Sequence, residues 1–144
     1  MDDLAIIVEY NLALARETED LVLDRQIVRP GVAALLANCS RGVYFVAEMN
    51  AKVVGQVMIT YEWSDWRNGN FWWLQSVYVH KDFRSQGVLK SLFDHILAAA
   101  QEEKNVCGFR LYMDKNNVAA RKVYARIGME ETNYEVFERL VRNG

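Results

Sequence analysis

The sequence predicts a mixed α/β fold in a single domain, residues 1–144, and three observations carry that prediction. Apolar residues recur at helical spacing in some stretches and run as aromatic and β-branched blocks in others. Two of those blocks, residues 71–79 and 107–114, are separated by a long amphipathic stretch, so they can lie parallel through a right-handed crossover. The composition, 51% apolar and 25% charged over 144 residues, is that of an ordinary globular chain able to bury one core.

Taken in order, Leu4, Ile7, Val8 and Leu12, with Leu14 on the flank, predict a helix over residues 3–16. A second helix falls between Asp24 and Ala37. Pro30 suits its first turn and not its interior, which leaves the start open. GVYFVAEM and KVVGQVMITYEW read as strands joined by a hairpin at Asn50-Ala51. SDWRNGN is a polar loop with an Asn-Gly turn signal, and FWWLQSVYV is a long strand. A short loop, HKDFRSQG, leads into a helix whose apolar face is Val88, Leu89, Leu92, Phe93, Ile96 and Leu97. CGFRLYMD is a strand, NNVAARKVYARIG a shorter helix closed by Gly128, and YEVFERLV a last strand. The order α-α-β-β-β-α-β-α-β makes a mixed sheet with helices on both faces.

Bulk properties narrow the function. A formal net charge of −2 gives no reason to expect nucleic acid or a membrane surface, and the basic residues Arg121, Lys122 and Arg126 are a local group. No apolar run approaches the roughly 20 residues of a membrane span. The acidic N-terminus is unlike a secretory signal, so a cytoplasmic location is expected. Cys39, Cys107, His80 and His95 form no short-spaced cluster, so no metal site is expected, and the cysteines read as buried or half-buried free thiols.

The loop before the long helix carries the first chemical signal. A helix opens with N–H groups that lack intrahelical partners, and with the positive end of the dipole they form an anion site. Gly87 lets the backbone approach a bulky anion, Arg84 adds a permanent charge, and Lys90 adds another one turn into the helix. The arrangement suits a pyrophosphate, yet it matches neither the P-loop nor the dinucleotide-binding glycine pattern. The plain alternative is a glycine that serves a turn beside a solvated arginine. A second stretch then bears on the choice: Asn117, Ala120 and Tyr124 stand at offsets 0, +3 and +7 on one helical stripe, followed by Gly128-Met129.

With these two motifs the chain resembles the GCN5-related N-acetyltransferase (GNAT) superfamily. Arg84-Ser85-Gln86-Gly87-Val88-Leu89 matches the family's acetyl-CoA loop at its arginine and first glycine, and Asn117 to Met129 matches the later motif throughout. The likeness extends from about Gly42 to Val141, and more loosely over the two leading helices. Two departures stand out. Leu89 occupies a position that usually holds Gly or Ala, and the chain opens in a helix where the family has a preceding strand. Either that strand is dispensable here or the sequence starts late, and a missing strand would expose a sheet edge and favour a homodimer.

The resemblance implies a central mixed sheet of five to six strands flanked by about four helices, with two parallel central strands splayed for coenzyme A. It also implies acetyl transfer from acetyl-CoA to an amine by direct attack in a ternary complex. The cofactor would be held by Arg84, Ser85, Gln86, Gly87, Val88, Leu89 and Lys90, by the strand backbone at Val77, Tyr78 and Val79, and by Asn117, Ala120 and Tyr124. A strand N–H would serve as oxyanion donor and Tyr124 as the acid that protonates the leaving thiolate. Some relatives carry a glutamate base where this chain has Gln75. Glu62, Asp65 or a water chain is then the candidate base, and Gln75 a group that orients water or substrate.

The segment TYEWSDWRNGNFWW gathers Trp63, Trp66, Trp72 and Trp73 with Glu62 and Asp65, a composition suited to a cationic amine. Glu17 and Glu19 are further candidates from the facing side. At least two of the four tryptophans are expected in the core. The hairpin loosely resembles that of diamine acetyltransferases, which makes a small cationic amine the lead. The competing readings are a non-catalytic acyl-CoA-binding or sensory module, favoured by Leu89 and Gln75, and a nucleotide-binding α/β domain, which leaves the Asn117–Tyr124 stripe without a purpose. No feature selects protein lysine over small molecules.

Overall fold

The computed structural model describes residues 3–142. These fall into two compact units that divide between Leu111 and Tyr112. The first holds helices α1 (Leu4–Glu19) and α2 (Arg25–Leu36), strands β1 (Val43–Met49), β2 (Lys52–Ser64) and β3 (Gly69–Val79), a 3-10 turn at Lys81–Phe83, helix α3 (Val88–Glu102) and strand β4 (Val106–Arg110). The second holds helix α4 (Val118–Arg126).

The sheet order is β1-β2-β3-β4, antiparallel except for the β3–β4 pair, which is parallel as the intervening helix requires. Asn50 and Ala51 both take positive φ, 53° and 64°, the tight hairpin geometry whose twist suits the flanking strands. Strand alternation sorts β1 between two helical layers. Tyr44 and Val46 pack with Ile7, Val8 and Val32 of α1 and α2, while Phe45 meets the His95 ring of α3 at 5.7 Å. The face of α3 that carries Val88, Leu92, Phe93, Ile96 and Ala100 is buried. Gly55 lets the start of α3 lie close to β2, since a Cβ there would stand 2.9 Å from Val88 Cγ1.

Four expectations change. The sheet has four strands among the described residues, not five to six. Residues 134–141, expected as the last strand, form no ladder, and Tyr134, Val136, Phe137, Leu140 and Val141 are exposed. Strand propensity alone does not make a ladder, because the pairing is set by tertiary approach. Pro30 lies inside α2, because Asp24 caps the helix by accepting from the Gln26 N–H at 2.8 Å and so fixes the start at Arg25. Cys39 and Cys107 are both exposed rather than buried.

Among the described residues no helix is long and apolar enough to cross a membrane, and no group of three or more His, Cys, Asp or Glu is placed to hold a metal.

Candidate active site

Two backbone features of the first unit meet the needs of a long anionic ligand. The β3–β4 ladder ends at Trp73 and Arg110, while β3 runs on to Val79, so the far half of β3 has an edge that β4 does not cover. Beyond that point β3 bulges. Gln56 pairs with Tyr78 but Met58 with Gln75, which places an extra residue in β3, and Ser76 stands at φ 50°.

The second feature is the start of α3. Its cap residue is Gly87, at φ 79°, and no side chain caps the first turn. Ser85 is also left-handed, at φ 63°, so the loop turns twice before the helix begins. A Cβ on Gly87 would meet nothing within 4 Å, so the space beside it is open. Uncapped N–H groups beside open space form the anion site described above. The uncovered β3 edge can take an extended chain and the helix mouth its charged end, so coenzyme A fits the features present.

The charged side chains expected at this mouth are already engaged. Arg84 donates through Nη2 to Glu17 Oε1 at 2.6 Å and through Nε to the Val79 carbonyl at 2.9 Å. Tyr78 Oη donates to the other Glu17 oxygen at 2.5 Å, and the Arg84 guanidinium lies 5.3 Å from the Tyr78 ring centre. Glu17, a substrate-side candidate from the sequence, clasps the arginine. It can do so because α1 runs three residues past the predicted end at 16, to Glu19. The Tyr78 hydroxyl, then Arg84, holds the Glu17 carboxyl below the usual carboxylate range, and burial, then Glu17, pushes the Tyr78 phenol up to about 12. Lys90 is turned along α3 to Asp94, at 2.7 Å. With both cations engaged, the open N–H groups at the start of α3 are what this unit offers an anion most freely. Val88 is buried with the core face of α3, while Gln86 reaches back to the Asp82 carbonyl at 3.3 Å.

On the β2–β3 hairpin, Glu62 Oε1 accepts from Trp73 Nε1 and from Arg110 Nη1, both at 2.9 Å. The Trp73 indole, then Arg110, holds the Glu62 carboxyl below its usual range. Arg110 lies 3.7 Å over the Phe71 ring, so this cluster is braced from β3 and β4 together. Gln75 donates through Nε2 to Thr60 Oγ1, across the strands. Trp72 is buried, while Trp63 and Trp66 are 57% and 87% exposed and Asp65 lies at the exposed hairpin tip.

In the second unit Asn117 caps α4, its Oδ1 accepting from the Ala120 N–H at 3.0 Å. Two of the three stripe residues thus meet in a helix cap. Gly128, at φ 90°, closes the helix with its N–H on the Ala125 carbonyl at 3.1 Å. Burial raises the Tyr124 phenol, so it keeps its proton at neutral pH. Sequence reasoning missed Arg110 and the Ser76 bulge. The apolar strand pattern conceals the bulge, and only the charge of Arg110 in an otherwise apolar strand offered a signal.

The chain matches the sequence model of the acetyltransferase (GNAT) family over residues 13–129. It is similar to a solved protein from Clostridium difficile 630, described as a possible acetyltransferase, at 45% identity. That match covers 99% of this chain and 94% of the other, with a TM-score of 0.93. Two more distant structures share the fold. One is a predicted acetyltransferase with acetyl-CoA from Clostridium acetobutylicum, at 19% identity, 98% and 92% coverage and a TM-score of 0.78. The other is an aminoglycoside acetyltransferase from an uncultured soil metagenomic sample in complex with sisomicin, at 18% identity, 96% and 91% coverage and a TM-score of 0.73. No curated protein matches the sequence significantly.

Proposed function

From the premise that this chain belongs to the GNAT family of acetyltransferases, whose members carry out acetyl-CoA-dependent acetylation, we propose that it acetylates the amine of a small cationic molecule by direct attack in a ternary complex. The observation that carries this reading is the pairing of an uncovered β3 edge with an uncapped, open helix start at Gly87. When bound, acetyl-CoA supplies an acetyl group activated as a thioester.

The N–H groups of residues 85–90 would hold its anionic end, with Arg84 contributing from its clasp on Glu17. The backbone at Val77, Tyr78 and Val79 would hold its arm, and an N–H beside the bulge would be placed to donate a hydrogen bond to the thioester oxygen. Asn117 and Ala120, at the start of α4, are read as cofactor residues from their motif position alone. Tyr124 Oη holds the proton that the leaving sulfur needs, a role supported by its motif position and its raised phenol. Glu62, ionised and braced, together with Trp63 and Asp65, attracts the ammonium group, and Gln75 orients the water that removes its proton. The family match runs across both units, which supports reading residues 1–144 as one functional domain. Exposed Cys39 and Cys107 suit a reducing cytoplasm. The two sheet edges, β1 and β4, suit a homodimer.

The test is release of free CoA thiol from acetyl-CoA across a panel of small amines, a protein lysine peptide and no acceptor. Release that depends on a small cationic amine is the expected result. Tight CoA binding without release from any amine refutes catalysis and establishes a binding module instead.

A further inference from the structure

The bulge in β3 is held from behind. Gln56, on β2, is completely buried at 0% exposure, and its Nε2 donates twice, to the Ser76 carbonyl at 3.0 Å and to Asn11 Oδ1 at 2.9 Å. Asn11, on α1, donates through Nδ2 to Tyr44 Oη of β1 at 3.1 Å. A relay of side chains from β1 and α1 therefore ends, through Gln56 of β2, on one peptide carbonyl of β3.

This arrangement lowers stability at two points. Gln56 Oε1 is buried with no hydrogen-bond partner, a loss of about 1–3 kcal/mol, where its neighbours Val54 and Val57 are buried without one. Ser76, a residue with a Cβ, stands at φ 50°, a strain on the order of 1–2 kcal/mol. Both penalties fall just past Trp73, where β4 leaves β3. Local stability given up at one point for geometry is the pattern of a functional site.

We propose that Gln56 is a positioning residue. Anchored by Asn11, its side-chain amide fixes the Ser76 peptide in the left-handed bulge and thereby aims the backbone N–H groups on the uncovered edge of β3. Released from that tether, the strand loses its extra residue from the register, and Val77 to Val79 turn toward the opposite faces. The catalytic consequence rests on the acetyltransferase reading, whereas the tether does not.

The test uses Gln56→Met, which keeps the volume and removes both N–H donors, alongside Asn11→Ala, which removes only the anchor. Amide hydrogen exchange of the ligand-free protein is expected to quicken about 10-fold or more in peptides covering residues 74–79 of Gln56→Met, and less in Asn11→Ala, with other peptides near wild type. With acetyl-CoA and an accepted amine, kcat is expected to fall about 10- to 100-fold while KM for acetyl-CoA moves less. Unchanged exchange at 74–79 in both folded variants overturns the tether. Exchange that quickens uniformly along the chain, or locally without a fall in kcat, overturns the positioning role. A wild-type chain that transfers no acetyl group removes the functional reading and leaves exchange to decide the tether.

Discussion

Replacing Glu17 with Gln tests how charge is arranged at the cofactor mouth. The Glu17–Arg84 pair is substantially solvent-exposed, at 39% and 44% of the two side chains, so its stabilising value is screened. Glutamine still offers Tyr78 an acceptor, and what is lost is the ionic part of the clasp. The expected decrease in stability is about 0.5–1 kcal/mol, or a drop in Tm of roughly 2–4 °C. Binding of CoA moves the other way. An anion drawn to Arg84 now shares the guanidinium with a carboxylate 2.6 Å from its Nη2. Removing that negative charge in a solvent-rich setting is worth about 1 kcal/mol to an incoming phosphate, or about 5-fold in Kd. Calorimetric titration of CoA into both proteins at low and high ionic strength measures it, and the gain should shrink as salt rises. The stability difference also has a direction with pH. The folded-state Glu17 carboxyl is depressed, by Tyr78 first and Arg84 next, so its contribution is present above the ordinary carboxylate range and lost as pH falls below it. The gap in Tm between the two proteins therefore closes on acidification. A folded Glu17→Gln that binds CoA several-fold more weakly at low salt refutes the reasoning, because the clasp would then be what presents Arg84 to the phosphates.

Three further outcomes follow from the same geometry. Tyr124→Phe should leave CoA affinity in place and lower kcat about 10- to 100-fold, and an unchanged kcat removes the phenol from the chemistry. Glu62→Gln should raise KM for a cationic amine several-fold while the pH profile of kcat stays put, since a depressed carboxylate is not the titrating base, and a shifted profile restores it as one. Gly87→Val forces a β-branched residue to φ 79°, with an expected loss of roughly 1–2 kcal/mol by thermal melting and weaker CoA binding by titration, and wild-type values in both would show that the loop does not depend on its left-handed turn.

The elements read most correctly from sequence are those set by local rules. The Asn50-Ala51 hairpin, the helix after Gly87 and the Asn117-capped helix each follow from turn chemistry, periodicity or capping within a few residues. The parallel strand pair followed from the long amphipathic stretch between the two strand blocks. What could not be read are the partnerships set by tertiary approach. Glu17 meets Arg84 across 67 positions, and Gln56 meets Asn11 across 45. Nothing in a helix period or a strand alternation reports which side chains will face each other from different elements. The segment at 134–141 failed for the complementary reason, since apolar and aromatic residues favour an extended chain but the ladder must come from elsewhere. Asp24 was the missed local signal, a cap residue whose geometry overrides the preference of Pro30 for a first turn.

The unequal exposure of the tryptophans gives this protein a built-in optical gauge. Trp63 and Trp66 sit in water at the hairpin while Trp72 is enclosed, so its intrinsic fluorescence divides into a quencher-accessible and a quencher-protected population. An amine that settles against the hairpin shields the first population and leaves the second alone. On the proposed reading, acceptor binding would be followed on the unlabelled protein by the loss of iodide or acrylamide quenching, before any acetyl group moves.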